Sequence, residues 1–294
     1  MRHTNASQPR LLFVLAIAAT LLMAGCAAEK RVWKEPEAGF VLEYRMPEDQ
    51  VLKYQMSNEF TQNLEMSGQS LETQVNTRYQ FSVKSGGLKA NDYQLTVTID
   101  SMSIKVATPQ GEFSPDLSSV VGESFDMTLS PLGEEADLSG AESIRYELGP
   151  GGKRSISPDF EALFPDLAGK ALKIGDTWLT TDTITVEDAN TTVHIIFESS
   201  NTLEALETVN EMECARVKAA VTGVLKGEGE QQGMELTYEG DIEGTDTWYF
   251  AIKEGLLLRM LSYANIKGTV IGSGLQEMTI PMAQEINIET SLIE

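Results

Sequence analysis

Cysteine and histidine are scarce in this chain of 294 residues, which contains two of each. Cys26 and Cys214 are too few for a disulfide scaffold, and Cys214 has no partner in the chain if Cys26 is modified. Beyond the first 25 residues His194 is the single histidine, which excludes a His-rich zinc site. No serine stands in a Gly-x-Ser-x-Gly elbow. The sequence therefore predicts no metal site, no cofactor and no enzyme.

Basic residues are also few, since 22 Lys and Arg stand against 44 Asp and Glu, a net charge of −22. Affinity for nucleic acid depends on Lys and Arg, so the composition predicts that nucleic acid is not a partner. Anionic lipid headgroups would repel the same surface, and membrane attachment would have to come from acyl chains. Besides ligand binding and protein scaffolding, a hydrolase that uses only carboxylates remains a third class of function. With so many acidic residues, however, suitable pairs occur by chance, so pairing gives no support to this class.

Long apolar runs are limited to one, residues 11–24, which follows Arg2 and Arg10. As a helix it would span about 21 Å, short of the roughly 30 Å core of a bilayer. A basic start, a short apolar stretch and small residues predict an export signal over residues 1–25. Cys26 directly after Ala24-Gly25 resembles the bacterial lipobox, which implies lipidation of Cys26, for example with palmitate. Ala27, in place of Asp after the cysteine, resembles the sorting pattern of enteric lipoproteins of the outer membrane. The protein is therefore expected on that membrane, facing the periplasm.

Residues 26–39 are charged and are predicted to be a lipidated tether, and residues 40–294 a β-rich domain. Apolar and polar residues alternate through most of this domain, most clearly over 236–250. Such alternation is typical of antiparallel sheets with one buried face. The alternating stretches are much longer than the usual strand of about 5 or 6 residues. We therefore expect a mainly β fold of curled antiparallel sheets, resembling a half-barrel.

Two segments, residues 114–121 and 157–164, carry helix signals: a serine cap, proline at the first position, and a glycine or proline stop. They would either plug the mouth of the half-barrel or connect its parts, and we favour connection. The order of predicted strands and hairpins in the first half of the chain is weakly repeated in the second half. This repeat predicts two related lobes, 40–150 and 167–294, with the boundary between Gly149 and Asp166.

The apolar faces of the last three alternating stretches provide the candidate binding site. Small residues on these faces, such as Gly240, Gly244, Ala264 and Gly268, would either let the strands bend or leave an apolar cavity. Methionine suits both a cavity for varied apolar ligands and a filled core. The cavity would be lined by Tyr238, Ile242, Trp248, Met260, Ala264, Ile266, Met278 and Met282.

Three other features have structural interpretations. Cys214 lies in an alternating stretch and is expected to be a buried core residue. His194 is expected on the polar face of a strand. Glu239, Asp241 and Glu243 alternate along one strand and are expected to form a solvated row, because a row does not surround a calcium ion.

Residues 171–178, Ala-Leu-Lys-Ile-Gly-Asp-Thr-Trp, and residues 125–133 resemble segments of an uncharacterised family of bacterial lipoproteins with a Lys-x-Gly-Asp-x-Trp box. The resemblance implies no activity. Physically, Gly175-Asp176 is expected to form a turn and Trp178 to anchor the next strand. In architecture the chain is similar to Lol-type lipoprotein carriers, which are half-barrels around an apolar cavity.

The sequence thus predicts a lipid-anchored envelope protein that binds a hydrophobic small molecule or lipid in a β half-barrel. The alternative is a protein-binding or scaffolding module of an envelope complex, which would use exposed sheet edges or acidic loops.

Overall fold

The computed structural model describes residues 38–66, 68–149, 152–188, 190–231, 233–274 and 277–293. The predicted signal peptide, residues 1–25, and most of the predicted tether, with Cys26, lie outside the described residues. Within the described ranges the chain is nearly all β. The strands are Val51–Met66 (β1), Gln69–Lys89 (β2), Asp92–Thr108 (β3), Gly111–Phe113 (β4), Ser124–Leu129 (β5), Glu135–Ala136 (β6), Arg145–Glu147 (β7), Lys153–Ser155 (β8), Thr177–Glu187 (β9), Thr191–Val209 (β10), Met212–Gln231 (β11), Met234–Ala251 (β12), Leu256–Ser273 (β13) and Met278–Leu292 (β14).

Twelve of the described strands form one sheet, and β7 and β8 form a separate hairpin. The order is β6-β5-β3-β2-β1-β14-β13-β12-β11-β10-β9, with β4 paired to β3. Neighbouring strands along this path are antiparallel. The prediction of a curled antiparallel half-barrel is confirmed. Strands from both halves of the chain share this sheet, and a relation between two lobes stays a prediction.

Tight turns set the register of two of the long hairpins. Ala90 and Asn91 join β2 to β3, and Asn210 and Glu211 join β10 to β11. All four residues have positive φ, between 49° and 83°. Two-residue turns of this kind match the right-handed twist of the strands that they connect.

Neither predicted helix forms. In residues 114–121 the chain makes turns instead, and Gly122 N–H after them donates to Ile99 O at 2.8 Å, pulling the segment against β3. Residues 157–164 contain only the 3₁₀ turn Ser157–Asp159, because Ala162 adopts a positive φ of 59°. One helical turn that was not predicted occurs at Ser139–Ser143 (α1).

Residues 156–172, here named the plug segment, fill one half of the interior. Phe160 makes edge-to-face contacts with Phe81 and Phe125, with ring centroids 5.2 and 5.1 Å apart. Phe164 contacts Tyr44 in the same way at 5.6 Å. Edge-to-face pairs add about 0.5–1.5 kcal/mol each beyond area burial. The second segment with a helix signal therefore packs into the interior while it also connects β8 to β9.

Candidate functional site

Five of the eight predicted cavity residues lie together on the inner face of the sheet. Ile242, Ile266 and Met282 belong to one apolar cluster and are 4%, 1% and 4% exposed. Leu225 and Val270 complete the buried part of this cluster. Tyr238 and Ala264 pack against it and are partly buried. The alternation of β12, β13 and β14 thus places these side chains as the sequence predicted. We name this group the apolar cluster.

The other three residues lie elsewhere. Trp248 packs edge-to-face on Trp178, with ring centroids 6.0 Å apart, at the end of β12 that adjoins the plug segment. Met260 is paired with Trp248 across β12 and β13. Met278 is exposed at the start of β14.

Further side chains of β14 and of the strands that flank the cluster in the sheet pack against the apolar cluster. Val193 and Ile195 approach it from β10, and Leu64, Ile280 and Ile286 approach from β1 and β14. In the sheet order β11, β12 and β13 separate β10 from β14. The β10 wall and the wall of β1 and β14 are therefore not paired directly, and the ladder through β11, β12 and β13 connects them.

Glycines permit the close approach of strands around this cluster. A Cβ at Gly268 would collide with the backbone oxygen of Glu239 on β12, and one at Gly244 with the backbone oxygen of Tyr263 on β13. At Gly227 it would lie 2.7 Å from Thr192 O on β10. Of the two roles that the sequence left open, bending of the strands accounts for these glycines.

Buried carboxylates hold the plug segment. The two carboxylate oxygens of Glu135 on β6 accept hydrogen bonds from Ala162 N–H and Phe164 N–H, each at 2.7 Å. Glu161 accepts from Thr185 N–H on β9, also at 2.7 Å. The plug segment is thus tied to both edges of the curled sheet. Burial raises the pKa of Glu135 well above its ordinary value, against the opposing effect of these two hydrogen bonds.

Further carboxylates face the interior near the plug. Burial is the main cause that raises the pKa of Asp246 and of Asp166 to about 6. The charge of Asp182 raises both values further, and the pKa of Asp182 is itself raised by burial. Asp246 stands on the inner face of β12 between Ile242 of the apolar cluster and Trp248 of the aromatic half. It marks a polar boundary between the two halves.

Sequence reasoning missed these interior acids. The inner position of Asp246 follows from its even spacing from Ile242 and Trp248. The roles of Glu135 and Glu161 depend on the path of the plug segment, which no periodicity in the sequence indicates.

The cysteine, the histidine and the acidic row that were interpreted as structural features all lie within the described residues. Cys214 is buried, and burial raises its pKa to about 11, which confirms a core cysteine. His194 is exposed, with Nδ1 3.2 Å from Thr185 Oγ1. Glu239, Asp241 and Glu243 are exposed along β12 as predicted. Within the described ranges no group of His, Cys, Asp and Glu has a geometry that could hold a metal ion.

The box at residues 171–178 has the predicted local structure. Gly175 has a φ of 93°, and Asp176 Oδ2 accepts Lys173 N–H at 2.8 Å, which closes the turn. Trp178 is buried and donates from Nε1 to Asp166 O at 3.2 Å. The turn and the tryptophan anchor are confirmed.

Two open grooves occur on the outside, neither of which was predicted. One of about 340 Å³ crosses the outer faces of β1, β14, β13 and β12 beside Tyr263 and Glu59. The other, of about 470 Å³, lies beside Pro131, Leu132 and Glu43. Neither contains any of the eight predicted cavity residues.

Comparison with known proteins gives only remote likeness. No model of a known protein family matches the chain, and no curated protein matches it. Among solved structures, an outer membrane channel from Pseudomonas putida F1 is similar at 10% identity, covering 89% of this chain and 100% of that one, with a TM-score of 0.27. OmpF of Salmonella typhi in complex with daunomycin is similar at 7% identity over 85% of this chain and 100% of that one, with a TM-score of 0.23. At these scores the likeness carries no argument.

No helix in the described part of the chain is long and apolar enough to cross a membrane.

Proposed function

We propose that this protein is a lipid-anchored, non-enzymatic protein of the bacterial envelope that binds a hydrophobic ligand inside the half-barrel. The observation that carries the proposal is the apolar cluster on the inner face, flanked by the β10 wall and by the wall of β1 and β14, which are not paired directly with each other. No residue of the plug segment is among the described side chains that pack on this cluster. This half of the interior is therefore closed by side chains of the sheet alone.

An apolar ligand would enter by separating the β10 wall from the β1 and β14 walls. Separation loses side-chain contacts of Val193, Ile195, Leu64 and Ile286, and no direct ladder joins β10 to β1 or β14. The ligand then replaces those contacts, and its buried apolar area contributes about 25 cal/mol per Å². Because the side chains of the walls are only partly buried, opening exposes less apolar area to water and therefore costs less free energy.

The polar boundary at Asp246 limits how deep the ligand extends. From Leu236 to Gly244 the inner face of β12 spans about 26 Å, at about 3.3 Å per residue. This length suits an extended acyl chain with its polar end at the open rim, near Met278.

Native mass spectrometry of the domain without its anchor, exported to the periplasm, tests the proposal. We expect a co-purifying mass in the lipid range that is lost in Ala264→Trp, because the indole fills the space beside the apolar cluster. Tyr263→Trp is the matched control, since this neighbouring side chain lies on the outer face and is exposed. A clean mass in the wild type that stays clean after exposure to envelope lipids would contradict the proposal.

The membrane anchor is a separate part of the proposal. Acyl chains on Cys26 would hold the protein on the membrane, because each buried methylene contributes about 0.8 kcal/mol and more than one chain is needed for firm attachment. Membership in the lipoprotein family with the Lys-x-Gly-Asp-x-Trp box is proposed on residues 173–178. The alternative function, a protein-binding module, is favoured by the position of β9 at the edge of the sheet.

A further inference from the structure

The strand β9 forms one edge of the sheet, and its outward backbone groups can be identified. Thr185 N–H donates to Glu161 Oε2 of the plug segment, so it points away from β10. Thr177 O accepts from Lys170 Nζ at 3.3 Å and also points outward. Alternate residues of an antiparallel strand direct both backbone groups to the same side. The odd-numbered residues from Thr177 to Glu187 therefore face the edge of the sheet, where Lys170 and Glu161 of the plug segment reach Thr177 and Thr185.

Between these two capped ends lies a window of five residues. Leu179, Thr181 and Thr183 direct their N–H and C=O groups outward, and within the described ranges none of these groups has a hydrogen-bond partner. The three side chains are exposed, Leu179 by 64%. Unpaired edge groups of this kind are a template for another strand. The opposite edge of the sheet ends in β6, which has two residues.

The side chains around the window indicate what a bound strand would carry. On the outer face Leu179 is 64% exposed and is paired with Ser200 of β10, so an apolar side chain is favoured opposite Leu179. On the inner face Asp182 lies near Asp166, and the charged groups that influence Asp166 are Asp182 and Glu134. Opposite charges on adjacent strands stabilise a pair, so a basic side chain is favoured opposite Asp182.

We propose that the β9 edge from Leu179 to Thr183 binds an extended segment of a partner protein with a basic and an apolar residue three positions apart. Strand addition satisfies up to about six backbone groups, and the alternate side chains supply specificity. Thr177 and Thr185, already occupied by Lys170 and Glu161, define the ends of the site. The inference goes beyond ligand binding in the interior, since the edge and the apolar cluster use different residues.

The test uses the full chain in detergent and a labelled, capped seven-residue peptide with Lys and Val three positions apart and Thr elsewhere. Binding is measured by fluorescence anisotropy. Thr181→Pro removes an outward N–H without removing a ladder bond to β10, and proline is tolerated at such edge positions. We expect at least tenfold weaker binding to Thr181→Pro than to the wild type. Thr181→Val, the matched control, keeps the N–H and should bind as the wild type does.

A charge exchange provides a second test that does not depend on proline. The Asp182→Lys variant should no longer bind the Lys peptide and should bind a peptide with Glu in place of Lys. Hydrogen exchange of residues 177–187 should slow when the Lys peptide binds the wild type. Absent binding, or binding that neither Thr181→Pro nor Asp182→Lys changes, would overturn the proposal. Self-association of the chain that Thr181→Pro abolishes would also overturn it, by making a second copy the occupant.

Discussion

Asp246 shows how a single residue divides the interior. Its carboxyl group lies on the inner face of β12, and burial is the main cause that raises its pKa to about 6. The folded protein therefore binds a proton more tightly than the unfolded chain. The stabilising contribution of protonation is present below the unfolded pKa of about 4 and is lost as the pH rises through about 6.

The first prediction concerns this residue. Asp246→Asn should raise the free energy of unfolding by about 1–3 kcal/mol at pH 7.5, because a buried charge is removed, and change it little at pH 4. Urea denaturation at the two pH values measures the difference. Asp241→Asn removes a charge from the exposed outer face of the same strand and is the control. An equal gain for both variants, or an equal gain at both pH values, would contradict the role of Asp246.

At the scale of the strands, close approach depends on glycine. Gly268→Ala should lower the free energy of unfolding by about 1–3 kcal/mol, because the added methyl group meets backbone of β12 that side-chain motion does not relieve. Gly86→Ala is the control, since its Cβ would lie 3.4 Å from Gln94 O, an ordinary contact. Chemical denaturation of the two variants measures this, and equal stability would show that the curvature does not require Gly268.

The plug segment is the other element with a measurable role. Phe160→Ala should lower the free energy of unfolding by about 3–5 kcal/mol, as expected for a fully buried aromatic ring. Leu88→Ala, at an exposed position of β2, should change it by less than about 0.5 kcal/mol. If urea denaturation gave similar small losses for both, the plug would not be part of the cooperative core.

Which elements the sequence predicts depends on the range of the interactions that define them. The strands β12, β13 and β14 follow from alternation, since in each strand apolar residues such as Ile242, Ile266 or Met282 recur at alternate positions, a pattern that is recognised without any partner. Residues 157–164 carry a helix signal that is purely local. Their actual path is set by Glu135 and by the aromatic rings of distant strands, and no local pattern contains these contacts. The same reason hides the roles of Glu135 and Glu161, whereas the inner position of Asp246 follows from its even spacing from Ile242 and Trp248.

At the scale of the whole molecule, the proposed function requires a membrane anchor at Cys26 beside the half-barrel. Cys26→Ser removes the site of acylation and should move the protein from the membrane fraction to the soluble fraction. Fractionation followed by immunoblotting measures this, and Ser7→Ala in the same leader region is the control that should leave retention unchanged. Continued retention of Cys26→Ser on the membrane would contradict the lipid anchor.

The central claim is that an apolar ligand lies against the apolar cluster. The most direct measurement is photo-crosslinking of the anchor-free domain with a fatty acid that carries a diazirine on its chain, followed by mass spectrometry of the labelled peptides. The account predicts labels on inner-face residues around Ile242, Ile266 and Met282, and competition by an unlabelled fatty acid. Labels confined to the outer groove beside Tyr263, or scattered labels without competition, would contradict it.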